Sequence, residues 1–209
     1  MKKIIYYLIK SIQAGIMIGV GGTIFLSLDN KIIGATFFAI GLFMIVVNEY
    51  NLYTGKVGYI LDNKPSYFIE VLVTIFGNFV GTFLTGFLLK YTRIYSLIHE
   101  KAKTICAIKL NDDILSIFIL SIFCGMLMYL AVNGYKTLKD PIAKYISVFL
   151  CVIVFILASF EHSIANMYYF TVAGWSGKAF LYLLIMILGN MVGGLTIPIL
   201  NIWKKNFEK

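Results

Sequence analysis

Two polar clusters interrupt an otherwise apolar chain, and chemistry could occur at either. One is Glu161-His162-Ser163 with Asn166; the other is Asn48-Glu49-Tyr50-Asn51 with Thr54 and Gly55. An ionisable group at the bilayer centre costs at least ~2.5 kcal/mol on insertion scales, so such groups face a protein interior or an aqueous path. His162 can present an N–H donor while neutral, and its charge changes near physiological pH. It therefore suits a pore that contacts an anion or passes a proton. Glu161 reads first as a structural anchor for freed backbone N–H groups, and Asn51 belongs to the loop of the other break. Thr54 adds a hydroxyl without a charge. A half-helix starting after a break directs unpaired N–H groups and a partial positive charge into a cavity, and two such starts converging would favour an anion.

The elements that must hold these residues are membrane spans. Of 209 residues, 60% are hydrophobic and 13% charged, about half the charge a water-facing surface of this size carries. Charge-free runs cover 11–28, 32–48, 71–89, 114–135, 145–160 and 179–203, with a further run at 162–177. A spanning helix needs about 20 apolar residues. The runs at 32–48 and 145–160 are marginal, and each leads through a polar cluster into more apolar sequence. The reading is an all-α polytopic membrane protein of six transmembrane helices, with the second and fifth broken. Irregular backbone at membrane depth is tolerated only where protein buries it or it lines a cavity.

Gly77-Asn78-Phe79-Val80-Gly81 recurs as Gly189-Asn190-Met191-Val192-Gly193, 112 residues on, and the same offset carries Glu49 onto Glu161. Three spans per half is odd, so the halves must be inverted repeats, about 10–91 and 112–204, within one channel domain over 1–209. The plainer reading is that Gly-x-x-x-Gly spacing lets membrane helices pack closely. The connection 91–113 reads as a short interfacial helix and turn. Six spans put both termini on one side, which collects eleven of the eighteen Lys and Arg residues, Lys209 among them. That excess places the termini in the cytoplasm and the chain in the cell membrane. Lys2, Lys3 and Lys10 resemble a signal-peptide start, but no small-residue cleavage site follows Leu28. Cys106, Cys124 and Cys151 lack metal-ligand spacing and read as small buried thiols. No basic stripe with interleaved aromatics suggests nucleic acid. No cofactor is expected.

Phe160-Glu161-His162-Ser163-Ile164-Ala165-Asn166-Met167 resembles the signature of the formate/nitrite transporter family. Leu52-Tyr53-Thr54-Gly55 is similar to its second hallmark, and the two Gly-Asn-x-x-Gly elements also fit. The resemblance implies an aquaporin-like protomer in a homopentamer, carrying small anions of weak acids, and no enzyme activity; the residues leave both channel-like flux and proton coupling through His162 open. It assigns the substrate pathway to His162, Lys109, Thr54 and Asn166, with Lys109 as a vestibule lysine. It assigns apolar constrictions to Phe38, Leu42, Leu52, Tyr53 and Phe155. Asn51, Tyr53, Lys56 and Gly125 depart from the family pattern, which bears on substrate preference and gating. The alternatives are a neutral-solute channel, a membrane-embedded enzyme using Glu161 and His162, and a scaffold. The first would carry Asn-Pro-Ala boxes at the breaks, and the only prolines are Pro65, Pro141 and Pro198.

Overall fold

A computed structural model describes residues 2–207 and is all-helical there; Lys209, counted in the charge asymmetry, lies outside them. The elements in order are α1 (Lys2–Ser27), α2 (Lys31–Val47), α3 (Tyr53–Lys56) with a 3-10 turn at Val57–Tyr59, and α4 (Tyr67–Leu89). Then come α5 (Tyr95–Asn111), α6 (Ile114–Thr137), α7 (Pro141–Leu157), α8 (Ser163–Ala173) and α9 (Gly177–Lys205). Four of them, α1, α4, α6 and α9, are long and apolar enough to cross a membrane, and α2 and α7 are shorter apolar helices. Large apolar side chains such as Phe76, Leu88, Leu150 and Leu188 remain exposed on the outer wall, a surface suited to lipid. This is a multi-pass membrane protein.

Capping sets the short helices. Asn30 accepts from the Ile32 and Ile33 amides to start α2, and Asp140 accepts from Ala143, ahead of Pro141 at the first turn, to start α7. Both helices end in the same way. Glu49 (φ 55°) and Ser159 (φ 57°) adopt the left-handed conformation, uncommon for residues with a Cβ. The following amides, Tyr50 and Phe160, fold back onto the Ile45 and Phe155 carbonyls. Asn51 and Glu161 then donate their amides sideways to Lys10 O on α1 and Leu120 O on α6.

Those matches correct the sequence register. The equivalent of Glu161 is Asn51, 110 residues away, and Glu49 instead pairs with Ser159. The reason is two extra residues between break and motif in the second half. Asn78 lies 25 residues beyond its partner Tyr53, whereas Asn190 lies 27 beyond Ser163. Burial agrees, since Glu161 is 3% exposed while the Glu49 side chain is 86% exposed.

The Gly-Asn-x-x-Gly elements serve both readings given them. A Cβ at Gly77 or Gly189 would strike that of Ser11 or Ser121, and one at Gly81 or Gly193 would strike the backbone carbonyl of Ile12 or Ile122. So α1 packs on α4, and α6 on α9, almost backbone to backbone. The asparagine between the glycines reaches the break. Gly125, a departure from the family pattern, is itself a contact glycine, because a Cβ there would strike Asn190 O. The connection 91–113 is larger than a short interfacial helix: α5 runs 17 residues and buries Ile98, Ala102 and Cys106.

Candidate functional site

Each break is held by one buried asparagine. Asn78 Oδ1 accepts from Tyr53 N (2.9 Å), and its Nδ2 donates to Ser11 O and Asn51 O (2.8 Å each). Asn190 Oδ1 accepts from Ser163 N, and its Nδ2 donates to Ser121 O and Glu161 O, all at 2.8 Å. Both amides are fully spent, and both residues are wholly buried. Sequence reasoning found the motifs but not this role. The available signal was an amide in an apolar span, which must satisfy its hydrogen bonds within the protein.

The residues held this way are Leu52 and His162, the N-caps of α3 and α8. His162 Nδ1 accepts from Ala165 N at 3.2 Å, so the neutral ring carries its proton on Nε2. That Nε2 stands 3.1 Å from Thr54 Oγ1 across the two halves. With Nε2–H donating to Thr54, the Thr54 hydroxyl keeps a proton to donate elsewhere. The equivalent positions, Leu52 and Ile164, are apolar, so the pseudo-symmetric centre is polar on one diagonal only. α8 has 11 residues whereas α3 has four, so the helix-start field at the centre comes chiefly from α8.

The apolar residues named from sequence divide. Phe155 lies with its ring centroid 5.4 Å from that of His162, and Phe38 packs edge-on against Phe155 at 5.9 Å. Leu52 lines a cavity on the other side of the break. Leu42 is buried one turn from Phe38 on the same helix. Tyr53 is anchored, its hydroxyl donating to Ile187 O on α9 at 2.8 Å.

Lys109, at the end of α5, forms an ion pair with Glu161 at 2.5 Å, with side chains 13% and 4% exposed. Asn166 Nδ2 donates to the same carboxylate oxygen at 2.8 Å and to His162 O at 2.9 Å. Glu161 thus links the lysine to the backbone that aims His162. Two buried atoms beside the histidine, Ser163 Oγ and Asn166 Oδ1, have no partner among the described residues. Buried polar groups are usually satisfied, so these two atoms stand out in the packing around His162.

A cavity opens at each end. At the end where α1 begins it encloses about 530 Å³ and reaches Asn51, Leu52 and Gly55. At the other end a cavity of about 330 Å³ lies between the α1–α2 turn and α5. Asp29 and Lys101 pair there at 2.7 Å, and hydrogen bonding to Lys101 holds the Asp29 carboxyl below its usual range. Lys31 reaches Leu157 O and Ser159 Oγ at 3.1 Å each, satisfying the end of α7.

The family model described as formate/nitrite transporter matches residues 1–204. The chain belongs to the formate/nitrite transporter family. Among its relatives, a formate-nitrite transporter of Plasmodium falciparum (isolate 3D7) is 28% identical over 247 residues, covering 97% of this chain and 80% of the relative. The nitrite transporter NirC of Escherichia coli (strain K12) is 25% identical over 225 residues, covering 93% and 81%. The fold matches a pentameric formate channel with formate bound, with a TM-score of 0.82 at 21% identity over 99% of this chain and 98% of that one. It also matches an FNT family ion channel, with a TM-score of 0.83 at 21% identity over 96% and 90%. These relatives are named as transporters or channels, so in this family member the polar breaks belong to a transport protein and not to an enzyme.

Proposed function

We propose that this chain carries small monovalent anions of weak acids, such as formate, nitrite or hydrosulfide, along a path through His162 and Thr54. The observation that carries the reading is their 3.1 Å contact across the two halves, with Phe155 packed against the imidazole and Phe38 behind it, edge-on to Phe155. Relatives named for formate and nitrite, and a neighbour described as a pentameric formate channel, support the substrate class and a homopentamer. Six crossings, counting the two broken pairs α2–α3 and α7–α8, put both termini on one side of the cell membrane. The lysine excess on that side supports a cytoplasmic location.

A bare anion pressed between phenylalanines loses its water and pays several kcal/mol. Nε2–H of His162 and the Thr54 hydroxyl replace that water, while Phe155 and Phe38 exclude a hydrated ion. Lys109 acts with Glu161. The pair is close to neutral as a whole, so its work is local: the ammonium has N–H donors beyond the one given to Glu161, and the carboxylate fixes Asn166, which holds the His162 carbonyl. We assign proton coupling to His162: a solvent proton delivered by water adds to Nδ1 as it releases Ala165 N–H, Nε2 gives its own proton to the anion, and the neutral acid crosses the apolar ring at a smaller penalty.

The test is flux of formate, nitrite, hydrosulfide and chloride in proteoliposomes at two pH values. Uptake of the three weak-acid anions, rising as pH falls, with chloride excluded, is expected. Equal passage of chloride, or permeability to water and glycerol alone, would refute the reading.

A further inference from the structure

The vestibule at the α1-start end is much larger than the anions assigned to the path. Its 530 Å³ is lined by four lysines, Lys10, Lys56, Lys136 and Lys144, against one carboxylate, Glu49. All four lie over tyrosine faces, Lys10 with its ammonium 5.0 Å from the Tyr6 ring centroid. The Lys56 ammonium lies 4.9 Å from the Tyr7 ring centroid and 5.5 Å from that of Tyr67; Lys136 stands 3.9 Å over Tyr59, and Lys144 stands 5.8 Å over Tyr135. Among the described residues, none of Lys56, Lys136 and Lys144 has a carboxylate within 4.0 Å. Lys10 alone does, 3.8 Å from the exposed Glu49. A ring face orients a cation without cancelling its charge.

An anion of three or four atoms can occupy one such ammonium. Three ammonium groups without a direct ion-pair partner, facing only the more distant Glu49 and Glu70, leave a net positive charge around 530 Å³ that complements a larger body bearing several charges. Lysine serves phosphate as a movable point charge, and the tyrosines that line the cavity hold Lys10, Lys56 and Lys144 in place. The floor of the cavity is Asn51, Leu52 and Gly55, so a seated ligand covers the first break.

We infer that this vestibule binds soluble phosphate-bearing anions of diphosphate or triphosphate size, and that a bound one plugs the path. Plugging rests on the anion path proposed above; binding does not.

The experiment titrates pyrophosphate by calorimetry into the full chain in phosphatidylcholine nanodiscs at fixed ionic strength. Saturable binding is expected, at least tenfold weaker in a Lys56→Gln/Lys136→Gln double variant and unchanged in Lys103→Gln, a surface lysine elsewhere. If the double variant does not elute as the wild type, the single Lys136→Gln change replaces it, with a loss of about threefold or more. No saturable binding at millimolar pyrophosphate, or binding indifferent to these substitutions, would overturn the site. Displacement by phosphatidic acid in the nanodisc would overturn the assignment to a soluble ligand. In parallel, pyrophosphate on the vestibule side should suppress formate flux in proteoliposomes. Binding without any formate flux in the absence of pyrophosphate would sink the path and leave the site; flux without binding or suppression would sink the site and leave the path.

Discussion

His162 Nε2 and Thr54 Oγ1 meet at 3.1 Å although 108 residues separate them in the chain. Their meeting depends on two breaks that share one construction, each closed by a left-handed residue and latched by an asparagine.

Thr54→Val tests the hydroxyl with little change of shape. A hydrogen bond to a charged group contributes about 1.5–3 kcal/mol, so formate flux should fall by roughly tenfold or more. The change also strands the buried Nε2–H of His162, so melting temperature in detergent should fall by the equivalent of about 1–3 kcal/mol. A scan of melting temperature beside the flux assay separates the two effects.

The asparagine latches should be structural. Asn190→Asp keeps the acceptor for Ser163 N but cannot donate to Ser121 O and Glu161 O, and it buries a carboxylate. We expect a loss of about 3–5 kcal/mol, by analogy with breaking a buried charged network, seen as a large drop in detergent melting temperature. Asn78→Asp should behave alike, because its hydrogen bonds match one for one. A wild-type melting curve for either variant would contradict the latch.

These latches show what was legible in the sequence. The spans follow from charge-free runs, and the octapeptide around His162 marked the second break. The register of the breaks was not legible, because Glu49 and Glu161 share a residue type while the backbone pairs Glu161 with Asn51. A two-residue difference in the connections moved the Gly-Asn motifs out of step with the breaks they hold, which no spacing count could reveal. The Lys109–Glu161 pair was also hidden, since it joins α5 to the second break across 52 residues. Lys56 stood out only as a departure from the family pattern, Lys136 and Lys144 only as part of a lysine excess, and the packing of α3, α6 and α7 brings them to one cavity.

The Lys109–Glu161 pair predicts coupling between substitutions. Glu161→Gln leaves a largely buried ammonium uncompensated and Lys109→Met leaves a buried carboxylate, so each alone should destabilise by about 3–5 kcal/mol. The double variant should recover a substantial part of that loss, because no unpaired charge remains. Flux should not recover with it, since the Lys109 donors are gone. Additive melting-temperature losses would show that the two side chains act independently.

Close helix approach gives a further test. Gly193→Ala places a Cβ against the Ile122 carbonyl, with backbone on both sides and no flexible side chain to yield. The expected loss is about 1–3 kcal/mol from overpacking. Gly177→Ala, where a Cβ meets nothing within 4 Å, should be nearly neutral in the same melting assay.

The most direct measurement is formate flux in proteoliposomes for the wild type and His162→Asn. Asparagine can keep the cap on Ala165 N but has no group at the position of Nε2, so the break persists while the donor to the path is lost. A properly assembled His162→Asn protein with formate flux reduced tenfold or more is predicted. Wild-type flux from that variant, with its pH dependence intact, would contradict a path that runs through His162 and Thr54.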